Sequence, residues 1–454
     1  MLMGWLLVSP WPDFLGADLP PALKAARSGG LIELSWEDTP GRDYLLEVAD
    51  GLEPNSNWWP ARRSAQLELG RRSVRITPGR GNRYFRLRTN DYTASLQTVL
   101  GDVAANQTGV VLPHEHIFTD LRGPTVPSYA QADIEDVVRV MKPRLVEAKE
   151  AGVGVLVECS SIGVGRNVPA ILRLAVESGL PVIVPTGVYG RANFAPPAHP
   201  AMTEADLTAL FTREIREGLE GTTTRAGFIK ISTSDSRLTA LEEKFLRTAG
   251  RAALATGAVV ASHTAAGSVA RRQTDILESI SPSIRFIWVH AQAERNRAFH
   301  RELAARGVFI EFDSFGWNPS EDSTLIAAIK ELIAAGFGDC VLLSHDAGWY
   351  QPGQPNGGTQ KPYTYLARVC DEIPEGRPGR LPSNCGFAAP WPYIGPAPPL
   401  PLWPMRQAIV ARATSRTLSW SVPELKPVWA RRSSRKNRRH RASNRPFCPG
   451  ATNR

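Results

Sequence analysis

The stretch "TGVVLPHEHIFTD", residues 108–120, carries an apolar run up to two histidines, His114 and His116, one residue apart. Side chains in a strand alternate faces, so residues two apart share a face and can grip one ion. The chain has only eight histidines and places two of them here. Two polar residues at a strand end would read the same way, so the rhythm of the surrounding sequence has to decide.

From residue 100 onward that rhythm is an apolar run followed by an amphipathic helix, repeated. The strand candidates after "TGVVLPHEH" (108–116) are "GVLVECSS" (154–161), "PVIVPTGVY" (181–189), "AGFIKIST" (226–233), "AVVASHTA" (258–265), "RFIWVHA" (285–291), "VFIEFDSF" (308–315) and "CVLLSHDA" (340–347). Helical patterns lie between them, among them "DIEDVVRVMKPRLVEAKEAG" and "LTALEEKFLRTAGRAALATG", the latter ending on Gly257 as a C-cap would. Eight near-continuous apolar strands alternating with helices predict an α/β fold, a (β/α)8 TIM barrel over residues 100–366. An open doubly wound sheet is the rival. It lacks support, because no glycine-rich phosphate loop follows an early strand.

At 454 residues the chain exceeds what one core usually serves. Residues 30–92 read as short alternating runs separated by turn clusters such as "DTPGRD" and "PGRGN", the pattern of a small β-sandwich. In "LSWEDTPGRDYLLEVADGL" and "NRYFRLRT" this segment resembles the fibronectin-type-III-like modules often appended to secreted bacterial enzymes. Trp58 and Trp59 would be its candidates for an exposed aromatic platform. Residues 1–29 read as a leader whose apolar block resembles a signal segment without a basic start, which favours a periplasmic or secreted location over a cytoplasmic one. Residues 367–454, rich in proline and arginine, have no period and are expected to be irregular and disordered, a foreign or out-of-frame extension replacing the barrel's last helix.

The formal charge of +9 hints at nucleic acid, but its location removes the hint. Residues 371–454 hold 15 Lys plus Arg against four acids, a balance of +11, which leaves the first 370 residues at −2. No nucleic acid is expected for the barrel. No apolar stretch approaches the roughly 20 residues that cross a bilayer. The five cysteines show no CxxC, so neither a disulfide framework nor a zinc knuckle is indicated.

In a barrel the functional groups gather at the carboxyl ends of the strands. Those ends carry His114 and His116 on the first strand, Lys230 on the fourth, His263 on the fifth, His290 on the sixth and Asp346 on the eighth. Each alone reads as a rim residue; together they bring half of the histidines to one rim. Lys230 stands out. Desolvation inside an apolar strand favours its neutral, nucleophilic amine, which can take up carbon dioxide as a carbamate whose two oxygens bridge two cations.

This constellation resembles the phosphotriesterase family of the amidohydrolase superfamily, including its phosphotriesterase-like lactonases, over residues 95–366. The resemblance implies two divalent ions, zinc first and cobalt, manganese or iron as others. His114, His116 and Asp346 would hold the buried ion, His263 and His290 the more exposed one, with carboxylated Lys230 and a hydroxide bridging them. It also implies a metal-dependent hydrolase acting on ester bonds, the bridging hydroxide attacking a lactone or carboxylic ester and Asp346 carrying the proton. An aryldialkylphosphatase is the alternative, and a catalytically inert binding protein an alternative of another class. A homodimer is expected. Tyr189, Arg191, Trp317, Trp349 and Tyr350 are candidates for the substrate pocket. The seventh-strand loop "EFDSFGWN" departs from the family: it offers Asp313 but neither the phosphotriesterase histidine nor the lactonase arginine and tyrosine.

Overall fold

A computed structural model describes residues 21–28, 31–38, 44–49, 59–60, 66–68, 70–76, 83–89, 95–104, 108–191, 194–366, 409–413 and 418–421. Period-two alternation builds its first unit from two antiparallel sheets. One orders Lys24–Ser28, Leu31–Glu37, Arg71–Ile76 and Gln66–Glu68; the other orders Leu418–Ser421, Ile409–Ala413, Arg83–Thr89, Tyr44–Ala49 and Trp59–Pro60. Ile32, Leu34 and Trp36 from the first sheet meet Tyr44, Leu46, Val48, Phe85 and Leu87 from the second in one apolar cluster. The side chains two apart on each strand are thus the ones removed from water.

Two expectations are adjusted here. The β unit starts inside the stretch assigned to the leader, since Lys24–Ser28 pairs with Leu31–Glu37 and Leu23 is buried in the cluster. Within the tail, Ile409–Ala413 and Leu418–Ser421 form an antiparallel pair that extends the sheet through Arg83–Thr89, because a paired edge satisfies backbone groups that irregular chain leaves to water. The remaining tail, its suggested foreign origin, residues 1–20 and Trp58 lie outside the described residues.

The second unit consists of eight parallel strands: β1 (Val110–Phe118), β2 (Val153–Glu158), β3 in two pieces (Val182–Ile183 and Pro185–Thr186), β4 (Phe228–Ser232), β5 (Val260–His263), β6 (Phe286–Val289), β7 (Phe309–Phe312) and β8 in two pieces (Val341–Leu343 and Gly348–Tyr350). One sheet runs β3–β2–β1–β8 and the other β3–β4–β5–β6–β7–β8. The two sheets share both split strands, so the ring is closed, and the barrel read from the sequence is the one formed. Closure depends on the second piece of β8, where Gly348 pairs with His116 and Tyr350 with Phe118.

Among the described residues, a helix of nine or more residues follows each of the first seven strands: α1 (Ile134–Glu150), α2 (Val168–Ser178), α3 (Glu204–Arg216), α4 (Ala240–Thr256), α5 (Gly267–Ile280), α6 (Arg297–Ala305) and α7 (Asp322–Ala334). In α1 the buried residues Val137, Met141, Leu145 and Ala148 fall on one helical stripe, and each large one contributes about 1.5–3 kcal/mol by burial. Thr239 and Glu242 form a capping box at the start of α4, and Gly257, at φ 79°, ends it as the sequence predicted. A hairpin, Ser95–Thr98 with Gly101–Ala104, docks on the barrel: Leu96 and Val99 join its core, and the buried Gln97 amide donates to the carbonyls of Ile215 and Ala226. Among the described residues no helix is long and apolar enough to cross a membrane.

Candidate metal centre

The strands deliver six side chains to one end of the ring. His114 and His116, on the same face of β1, are both buried, with ring centroids 5.4 Å apart. Lys230, inward-facing on β4 and 2% exposed, places Nζ 3.4 Å from His114 Nε2. His290, following β6, has its ring centroid 5.0 Å from that of His114 and 4.4 Å from that of His263 on β5. Asp346 Oδ1 lies 3.0 Å from His116 Nε2 and 3.6 Å from His114 Nε2. All six residues read from the sequence as ligands therefore converge.

Charge and hydrogen bonding suit a cation. Burial, reinforced by the positive charge of His290, Lys230 and Arg191, holds His263 well below the usual histidine range, so its imidazole is neutral, with the lone pair of Nε2 facing Arg191 Nη1. Burial works against ionisation of Asp346, yet the neighbouring His116 and His114 keep its carboxyl below the ordinary aspartate value. The buried atoms Asp346 Oδ1 and His114 Nδ1 make no aligned hydrogen bond despite their close neighbours. Ligand atoms of His114, His290 and Asp346 all lie within 4.8 Å of one another, a spacing one ion can span.

Backbone strain marks the same place. His290, Asp346 and Trp349 adopt φ of 62°, 51° and 78°, a region that costs a non-glycine residue on the order of 1–3 kcal/mol and persists only where the surroundings over-determine it. At β8 they do. His114 O accepts from Asp346 N at 3.1 Å, and the indoles of Trp317 and Trp349 donate to Asp346 O at 3.2 and 2.7 Å. Glu115, on the opposite face of β1 from the two histidines, accepts from Ser344 Oγ, His345 N and His345 Nδ1 with Oε1, and from Ala347 N with Oε2. His345 Nε2 in turn accepts from Leu366 N.

A second set of groups fixes the histidines. Asp313, on the loop after β7, accepts from His290 N at 3.0 Å and pairs with His290 Nδ1 at 2.7 Å, while its Oδ2 lies 3.1 Å from His114 Nδ1. His116 Nδ1 meets Ser160 Oγ at 2.8 Å, with Glu158 at 3.6 Å. Glu311, one inward step below Asp313 on β7, lies 3.6 Å from His114 Nδ1 and leaves Oε1 buried without a hydrogen bond. The sequence reading missed Glu115, Glu158 and Glu311. The available signal was a carboxylate inside an apolar strand, as in "FIEFD", where Glu311 and Asp313 share the inward face.

The pocket candidates divide. The partly buried Tyr189 ring stands edge-on to His263 at 5.5 Å. Arg191 reaches the same imidazole, Nη1 to Nε2 at 3.1 Å. Trp349 lies 4.9 Å from His116, and Trp317, 45% exposed, lies 6.1 Å from Trp349 under the Lys361 ammonium. Tyr350 is not at the mouth. It stacks on Phe118 and its hydroxyl donates to Asp136 on α1 at 2.7 Å, because the strand alternation that brings Trp349 inward turns its neighbour outward.

Comparison with known proteins identifies the family of the barrel. The "Phosphotriesterase homology protein" of Mycobacterium tuberculosis (strain CDC 1551 / Oshkosh) is 31% identical over 274 residues, 57% of this chain and 83% of that protein. The N-acetyltaurine hydrolase of Danio rerio is 27% identical, covering 57% and 85%. A solved structure from work on organophosphate hydrolysis engineered from a weak promiscuous lactonase superposes with a TM-score of 0.58 at 26% identity, covering 66% of this chain and all of that one. Residues 94–375, which contain the closed ring and every group at its mouth, match the Phosphotriesterase family. The chain belongs to that family, whose members include hydrolases.

Proposed function

We propose that the barrel is a binuclear metal-dependent hydrolase of lactones or carboxylic esters. The observation that carries this reading is the convergence of four histidines, Lys230 and Asp346 at one end of the ring, with Asp346 Oδ1 buried and without an aligned hydrogen bond. His114, His116 and Asp346 would hold one divalent ion and His263 and His290 a second, with Lys230, carboxylated, reaching both. Imidazole nitrogens and carboxylate oxygens favour zinc, with cobalt, manganese or iron as further candidates. Bound cations of this kind acidify water and polarise an acyl or phosphoryl oxygen.

The chain's own residues supply the rest. Asp346 Oδ1, facing His116 and His114, would receive the attacking water's proton and pass it toward the leaving group. Asp313 and Ser160 orient the histidines, and Tyr189, Arg191, Trp317 and Trp349 wall the mouth. Organophosphate triester hydrolysis is the second reading, supported by a solved relative engineered for that activity from a lactonase. The N-terminal two-sheet unit is proposed as a fibronectin-type-III-like module that tethers the hydrolase.

Metal analysis together with a screen of lactones, aryl esters and paraoxon-like triesters, after zinc or cobalt loading, tests the proposal. We expect about two equivalents of metal per chain and turnover that Lys230→Ala abolishes along with metal binding. Negligible metal on a folded protein would point instead to an inert binding protein.

A further inference from the structure

After β8 the chain turns back, and residues 361–366 run along the seam between β8 and β1. Lys361 pairs with Gly348 through two backbone bonds of 3.1 Å, N to O in each direction. Tyr363, 1% exposed, donates its hydroxyl to the carbonyl oxygen of His116 at 2.9 Å. Leu366 N donates to His345 Nε2 at 2.9 Å, and the Tyr365 hydroxyl donates to Asp322 Oδ2, at the start of α7, at 2.6 Å. The first three contacts fall on His116 itself, on its partner across the seam and on the neighbour of Asp346. The fourth reaches a helix outside the ring.

Gly348 makes room for the Tyr363 contact. At its φ of 94° a Cβ would lie 1.9 Å from His116 O and 2.2 Å from the Tyr363 hydroxyl oxygen, so a side chain would fill the space the bond needs. Trp349 follows at φ 78°, and its indole donates to Asp346 O at 2.7 Å while its ring lies 4.9 Å from that of His116. The phenol therefore stands where the β1 carbonyl and the turn that carries Asp346 come together. A buried carbonyl that loses a donor there has no water to replace it.

Resting on the hydrolase reading above, we propose that Tyr363 is a positioning residue for the ion that His114, His116 and Asp346 would hold. Its hydroxyl fixes the backbone of β1 at His116 against β8 at Gly348, and so sets the approach of the His116 imidazole to the Asp346 carboxylate, 3.0 Å from Nε2 to Oδ1. The phenol touches neither ion nor substrate. The ligands of the other ion, His263 and His290, come from β5 and the end of β6, which β7 separates from β8. The effect thus falls on one ion of the two.

The test compares Tyr363→Phe with Tyr365→Phe in the full chain. Each variant loses one phenol hydrogen bond from the same segment, so the second controls for general loosening. Stepwise zinc affinities are read by chelator competition, ligand geometry by the absorption of the cobalt form, and seam mobility by amide exchange over residues 110–118 and 341–350. Tyr363→Phe should weaken one zinc equivalent about tenfold and leave the other within about twofold, as loss of an outer partner of a single ligand does. It should also shift the cobalt absorption and speed exchange over both stretches. Tyr365→Phe should keep both zinc affinities and the cobalt absorption of the wild type, whatever its denaturant midpoint. Wild-type zinc affinities in Tyr363→Phe, or equal losses in the two variants, would overturn the inference and leave the hydrolase reading to stand on its turnover. An unfolded Tyr363→Phe would overturn it as well, since the hydroxyl would then serve the fold and not the ion. One zinc equivalent sensitive to Tyr363 but not to Tyr365, without turnover of any ester, would do the reverse. A folded wild type that takes up no zinc would end both.

Discussion

Asp313 joins two histidines of the candidate metal centre: its Oδ1 lies 2.7 Å from His290 Nδ1, and its Oδ2 lies 3.1 Å from His114 Nδ1. Burial resists a charge here, but His290 and His114 hold the carboxyl well below its usual range, so it stays anionic, accepting from His290 and lying within ion-pair distance of His114. An asparagine offers one acceptor and one donor, so one histidine loses its orienting partner. Asp313→Asn should weaken metal binding about 10–100-fold, read by competition with a chromogenic chelator. Unchanged affinity would show that the rings are set by packing alone.

Glu115 closes the barrel seam between β1 and β8 through four donors from Ser344, His345 and Ala347. Glutamine at this position must turn its amide N–H groups toward one set of those donors. Each buried donor left unmatched costs about 1–3 kcal/mol. Glu115→Gln should lower the denaturant midpoint accordingly and release Asp346 from its left-handed conformation, with loss of metal. A midpoint equal to that of the wild type would contradict the seam.

Gly187, between β3 and Tyr189, adopts φ +107°, and a Cβ there would lie 2.2 Å from the backbone oxygen of Lys230. Gly152 has a comparable φ of +94° but open space around it. The pair separates conformational strain from collision. Gly152→Ala should cost about 1 kcal/mol, as expected for strain alone; Gly187→Ala should cost clearly more and also reduce metal uptake by displacing Lys230. Equal losses in urea unfolding would remove the collision from the account.

Asp120, at the carboxyl end of β1, accepts from Arg122 N, Nε and Nη2 and from Ala130 N. Burial alone would raise its pKa; the guanidinium and the backbone donors outweigh burial and lower it. A carboxylate held down in the folded state contributes stability that is complete above the unfolded value, about 3.9, and is lost as pH falls through the lower folded value. Asp120→Asn should therefore be less stable than the wild type at neutral pH, with the difference shrinking below about pH 4. A difference that stays constant from pH 7 to pH 3 in urea titrations would be inconsistent with this linkage.

Much of the molecule was legible one residue at a time. The barrel followed from eight apolar runs spaced by helices, because strands covered on both faces admit few polar residues. His114, His116, Lys230, His263, His290 and Asp346 stood out as polar residues at the ends of those runs. Glu311 was equally visible in "FIEFD" yet went unread, because an isolated acid in a strand has no partner until the closed ring brings the His114 side chain near it. Tyr350 was misplaced because inward and outward positions cannot be told apart in "GWY" until Gly348 pairs with His116.

The order of strands, the chemistry at their ends and the helix caps were determined by the sequence, since periodicity, turn residues and capping are local properties of the chain. The tertiary structure alone decided which carboxylate orients which imidazole, that Glu115 seals the seam, and that Arg191 reaches His263. Those pairings span up to 232 residues. They exist only where closure of the ring brings distant strand ends within hydrogen-bond distance of one another.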